Sequence, residues 1–230
     1  MSTDAARTEW YETSDAEDWL PANAKTMLSE NPARNESAWA RVELQRRRTP
    51  DGSWQVHGLL RAFDAAGTLR AEITYADGAF GGPTTFYHAN GRILRSSVHH
   101  GHTLDGPIVE YADSGTVIRT AMYRGGTRVG PQRTYYESGR LKYESHYDEN
   151  GRMHGHTISW SEDGAEVGRE VAVHGRTVLS ISYGPDGDVT NVVVPIAEGS
   201  LVVSRPRGEK QMIMLIPNDS DIEHPVTLPE

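Results

Sequence analysis

The sequence predicts an all-β protein, a single extended antiparallel β-meander built of stacked hairpin repeats with a short N-terminal helix as cap. Three observations predict it. Gly58, Gly82, Gly106, Gly130 and Gly155 recur at spacings of 24, 24, 24 and 25, a period that marks a stacked repeat whose single unit cannot bury its own face. Between the glycines the residues alternate with period two, as strands do and helices do not. An aromatic column, Phe63, Tyr87, Tyr111, Tyr135 and Trp160, keeps one place in every unit.

Residues 1–37 form an acidic segment in which Ser14 suits a helix cap, and Trp19, Met27 and Leu28 could dock a short helix on an open sheet edge despite Pro21. Residues 38–57 read as an opening hairpin turning at Thr49–Gly52. Residues 58–194 hold the repeats. Their second glycine recurs at Gly67, Gly91, Gly115, Gly139 and Gly164, and their third at Gly78, Gly101, Gly125, Gly151 and Gly175; all the glycines are expected at positive-φ turns between strands. In each second strand Leu69, Ile93, Val117 and Leu141 share parity with Tyr75, His99, Tyr123 and Tyr147, whereas Glu72, Ser96, Thr120 and Glu144 have the opposite parity. One face should therefore be aromatic and aliphatic, joined by Arg61, Arg95, Arg119 and Arg133, and the other polar and solvated. A degenerate last unit carries Tyr183, Gly187 and Val189. Residues 195–216 read as a closing hairpin turning at Arg205–Gly208, and residues 217–230 as an acidic tail.

The chain has no cysteine, which removes disulfides, thiolate metal sites and thiol nucleophiles and fits a reducing compartment. Its N-terminus is acidic and no stretch approaches the ~18 apolar residues of a membrane span, so a cytoplasmic protein without membrane contact is expected. Of the net charge of -9, residues 1–37 carry eight acids against three bases and residues 217–230 four acids and no base. That leaves 20 acids and 20 bases between them, no field to draw a phosphate backbone, and no nucleic-acid partner is expected. A lipid-surface module would need a basic patch that is equally lacking.

Eight of the ten histidines lie between His88 and His174. His100 with His102, and His154 with His156, fall on turns two units apart, roughly 19 Å by strand spacing, too far to share a metal. No metal or cofactor is expected, and nucleophile and phosphate-loop motifs are absent. His99 stands where the ladder otherwise has tyrosine.

The unit G-P-x-x-x-Y-x-x-x-G-x-L-x-x-x-x-x-Y-x-x-G, opened by Gly82-Pro83, Gly106-Pro107 and Gly130-Pro131, closely resembles the second-type MORN repeat of the bacterial YwqK-family antitoxins over about residues 52–175. His156 follows Gly155 where that pattern has proline, and His99 replaces a tyrosine. The resemblance implies a non-enzymatic interaction protein of antitoxin or immunity type. Tyrosine and arginine together form binding hot spots, so Tyr87, Arg95, Tyr111, Arg119, Arg133 and Tyr135 are the expected contacts with a protein partner, for which the acidic segments suit a basic toxin. The alternative is a cofactor-independent cyclase or isomerase with His99 as base, Tyr111 as donor and Arg119 as anion clamp.

Overall fold

A computed structural model describes residues 7–12, 40–197, 199–204, 212–217 and 226–227, with side chains over 40–197 and 199–204. It falls into two compact units, Met1–Thr127 and Arg128–Glu230. The first holds β1 (Arg7–Glu12), β2 (Arg41–Arg48), β3 (Trp54–Phe63), β4 (Leu69–Ala76), β5 (Ala79–Tyr87), β6 (Ile93–His100), β7 (Thr103–Tyr111) and β8 (Val117–Arg124). The second holds β9 (Thr127–Tyr135), β10 (Leu141–Tyr147), β11 (Gly155–Trp160), β12 (Glu166–Val173), β13 (Arg176–Tyr183), β14 (Val189–Ile196), β15 (Gly199–Ser204), β16 (Met212–Pro217) and β17 (Val226–Thr227).

Within each unit every strand pairs antiparallel with the next in the chain, so the all-β meander is observed. No described residue is helical, and thus none belongs to a helix long and apolar enough to cross a membrane. The expected capping helix and the turn at Arg205–Gly208 lie outside the described residues. β1, which runs beside β2 from Arg7↔Arg46 to Glu12↔Arg41, adds a strand to the elements expected.

The glycines divide into three kinds. The second of each unit closes a four-residue turn: at Gly139 the Tyr136 N–H donates to the Arg140 carbonyl and the Gly139 N–H to the Tyr136 carbonyl, both at 2.9 Å, with Gly139 at φ 82. The third sits in a two-residue turn with positive φ at both places, as at Asp77-Gly78, Gly101-His102, Gly125-Gly126 and His174-Gly175, the form whose twist matches that of paired strands. Gly151 differs, closing a four-residue turn from Asp148, which is why that spacing is 25. The first glycine is not a turn residue, contrary to expectation: Gly58, Gly106 and Gly130 lie inside β3, β7 and β9. The ladder shifts register at Gly58 and at Gly106, and a Cβ on Gly58 would stand 2.2 Å from Gln45 Oε1, the atom that accepts the Leu59 N–H. Gly139→Val should cost about 1–3 kcal/mol, since a β-branched residue is strained at positive φ, whereas the adjacent Ser138→Ala should fall within about 0.5 kcal/mol. Urea denaturation checks both, and equal midpoints would contradict the turn.

A second correction concerns the faces. At the start of β4, β6 and β8 a β-bulge sets an extra residue into the second strand: Ala62 and Phe63 stand opposite Ala71 and Leu69, Phe86 and Tyr87 opposite Arg95 and Ile93, Glu110 and Tyr111 opposite Arg119 and Val117. The bulge reverses parity between the first and later residues of the strand. The aromatic column therefore pairs with Leu69, Ile93 and Val117 on one face, while Tyr75 and His99 belong to the opposite one.

That opposite face is the core. Val42, Leu44, Leu60, Ala62, Ala71, Ile73, Tyr75, Phe80 and Phe86 form one buried cluster on β2 to β5, with Val56 and Leu94 against it. Continuing across the sheet, one row passes through two hydroxyls and returns to apolar residues, Ile73–Thr84–Ser97–Ile108–Ala121, and the other becomes charged, Phe86–Arg95–Glu110–Arg119. Among the described residues of the second unit the buried side chains are no larger than valine, Val129, Ser145, Thr157, Ala172 and Val202, and the large buried apolar side chains are those of the first unit.

Candidate functional site

Register places each candidate residue. In the first unit Tyr87 and Tyr111 lie on the face of the row Glu43–Arg61–Glu72–Thr85–Ser96–Val109–Thr120. Arg95, His99 and Arg119 lie on the core face. In the second unit Arg133 and Tyr135 share one face with Glu144, opposite Gln132 and Ser145. The expectation that Arg61, Arg95, Arg119 and Arg133 all join the aromatic column is thus corrected: Arg61 and Arg133 do so within their own units, and Arg95 and Arg119 do not.

Nor is the other set of carboxylates merely solvated. Glu72 accepts from Arg61 Nε at 2.9 Å and from the Tyr87 hydroxyl at 2.6 Å, while a further Arg61 nitrogen is 3.8 Å from Glu43. Burial, and then the hydrogen bond to Glu72, pushes the Tyr87 hydroxyl up to about 12; it stays a neutral donor. Arg133 Nε repeats the pairing on Glu144. These arginines form cross-strand ion pairs on the tyrosine face of their own units; Tyr135 stands half-buried two residues from Arg133, and Tyr111 is half-buried on the face of Tyr87, two strands further on.

On the core face Arg95 lies over the Phe86 ring at 4.8 Å, and Arg119 meets both Glu110 oxygens at 3.4 and 3.5 Å. His99 packs beside Phe80, ring centroids 5.9 Å apart, and its buried Nδ1 has no hydrogen-bond partner among the described residues. Burial, with Arg95 adding to it, lowers the His99 pKa, so the ring is neutral. Tyr111 directly follows Glu110 on β7, and its side chain leaves the sheet on the side away from His99 and Arg119. A base, donor and clamp made of these three does not converge.

The histidines that do meet are His154 and His174, ring centroids 4.9 Å apart, with His174 Nδ1 3.4 Å from Asp148 Oδ2 and Arg152 Nε 3.2 Å from the same oxygen. Both belong to one unit, each preceding a glycine, Gly155 and Gly175, and the pairing of β11 with β12 brings the two turns together. Among the described residues no group of three or more histidines or carboxylates is arranged to hold a metal.

Asp148 also illustrates the acid response. The Arg152 N–H foremost, with His174 and the Asn150 N–H, holds its carboxyl down at about 2, against an ordinary 3.8; the Thr49 hydroxyl and the Ser53 N–H do the same for Asp51. A depressed carboxylate stabilises the fold above its unfolded pKa and loses that contribution as pH falls toward its folded one. Thermal stability should therefore decline between pH about 4 and 2, and a melting series should show a shallower decline in Asp148→Asn.

The fold defines a repeat protein of stacked β-hairpins, and within each unit tyrosines share a face with cross-strand ion pairs. The family model described as a MORN repeat variant matches residues 128–149, the span of β9, its turn and β10, which supports a MORN-repeat protein. Comparison with curated proteins gives no match. Among solved structures, the crystal structure of an S. aureus TarM mutant in complex with Fondaparinux, alpha-GlcNAc-glycerol and UDP is 13% identical over 70% of this chain and 26% of that one, with a TM-score of 0.27. A likeness so slight carries no argument, and the chain spans about a quarter of that protein's length.

Proposed function

We propose that this is a non-enzymatic protein-interaction module, of the antitoxin or immunity type that the repeat resembles, working in the cytoplasm by covering a partner's surface. The observation that carries this reading is a half-buried tyrosine face that also carries ion pairs: in the first unit Tyr87 beside Arg61–Glu72, with Tyr111 on the same face two strands further on, and, within the second unit, Tyr135 beside Arg133–Glu144. Rigid aromatic rings offer contact area at low entropic cost, and pre-paired arginines reach partner carboxylates without free rotamers to order. The acidic segments at both ends favour a basic partner, a toxin by the same resemblance. Arg95 and Arg119, on the core face and engaged there by Phe86 and Glu110, lie outside the contact in this reading.

A photo-cross-linking residue at position 111 should capture one defined polypeptide from the native host, and the same residue at position 123, on the core face, should not. Once the partner is purified, Tyr111→Ala should weaken it by about 2 kcal/mol, as hot-spot truncations do, with little change in melting. Equal capture at both positions, or undiminished affinity in Tyr111→Ala, would overturn the tyrosine face as the contact.

A further inference from the structure

The residue before the first glycine of a unit has a recurring task. His57 Nδ1 accepts the Asp77 N–H at 3.3 Å, Asp105 Oδ1 the Gly125 N–H at 3.1 Å, and His154 Nδ1 the His174 N–H at 3.4 Å. In all three the acceptor stands 20 residues before the donor, and the donor is the first residue of a two-residue turn with positive φ. The side chain clamps the next hairpin's tip. An imidazole does this only while Nδ1 keeps its lone pair; a carboxylate does it throughout the neutral range.

The two histidine clamps differ in what a proton would find. His57 Nδ1 is also 3.2 Å from Asp77 Oδ1, a carboxylate further bonded to Arg47. Once protonated, His57 exchanges an accepted N–H for a donated bond to the same residue, and the clamp persists. Among the described residues His154 has no such second partner. The group facing it is the His174 ring, which in turn meets Arg152, whose Nη2 is 3.5 Å from His174 Nδ1, and Asp148, whose Oδ2 is engaged by His174 and Arg152. His146 next to it joins through its backbone carbonyl, which accepts the His154 N–H at 2.9 Å.

We propose that His154 is a pH-sensitive clamp: neutral, it holds the turn His174-Gly175, and protonated, it releases the His174 N–H and sets a cation against His174 and Arg152. His174 is a non-glycine residue at φ 48, a conformation that costs energy, so the released turn has a reason to open. Acidification thereby loosens one hairpin end of the second unit while the Asp105 clamp in the first stays closed.

Amide hydrogen exchange on the full chain, corrected for intrinsic rates at each pH, tests this. Between pH 8 and 5.5 protection of the His174 amide should fall about three- to tenfold, the worth of one exposed hydrogen bond, while that of Gly125 holds. His154→Asn, whose amide oxygen accepts without titrating, should abolish the fall. A His174 amide whose protection does not change with pH, or one that loses it equally in His154→Asn, would overturn the proposal.

Discussion

Asp64→Ala should destabilise the first unit by about 3–5 kcal/mol, the cost of leaving a buried charge without its partner. Arg70 is the extra residue of the first bulge, 4% exposed, and Asp64 is 8% exposed. Arg70 Nη1 donates to Asp64 Oδ2 at 3.2 Å and Arg70 Nε to the Tyr87 carbonyl at 3.2 Å, while Asp64 Oδ1 accepts the Ala66 and Thr68 N–H groups. One carboxylate therefore closes a turn and neutralises a buried guanidinium. Burial pushes the Asp64 pKa up, but the Thr68 N–H, Arg70 and the Ala66 N–H outweigh it and the net shift is downward. Guanidinium denaturation should show the loss in Asp64→Ala and a partial recovery in Asp64→Ala/Arg70→Met, where no charge is stranded. A single variant within about 1 kcal/mol of the parent would mean that water reaches Arg70.

Phe86→Ala should cost about 3–5 kcal/mol, and its neighbour Tyr87→Ala only about 1–2 kcal/mol. Phe86 is 0% exposed in the core cluster, whereas Tyr87 is half-buried on the other face and loses one hydrogen bond to Glu72. Read by unbroken alternation, the sequence makes Tyr87 the core residue. Comparing the two melting temperatures decides between that ordering and the bulged register: Tyr87→Ala as the worse variant would restore the unbroken one.

Much was legible because glycine carries backbone information locally. Gly67, Gly91, Gly115 and Gly139 announce four-residue turns, and Asp77-Gly78 and Gly125-Gly126 two-residue ones, since few residues accept positive φ. From those positions the strands, their antiparallel order and the repeat length follow without any knowledge of packing. The clamps of Asp105 and His154 would also have been visible, as acceptors 20 residues before a turn, had the turns been distinguished from strand-interior glycines such as Gly58.

The sequence by itself determined the repeat, the turns and the all-β class, because each depends on which residues tolerate a given φ or alternate in polarity. The tertiary structure alone decided which face is core. A bulge is a property of two strands in register, and the extra residue, Arg70 in the first of them, reverses parity without leaving a glycine or proline to mark it. That reversal moved Arg95 and Arg119 to the core face, left Tyr87 and Tyr111 on the other, and kept His99, Tyr111 and Arg119 from forming one site. Only cross-strand pairing could show Glu72 held between Arg61 and Tyr87, because the three are adjacent in space through a register that no single strand encodes.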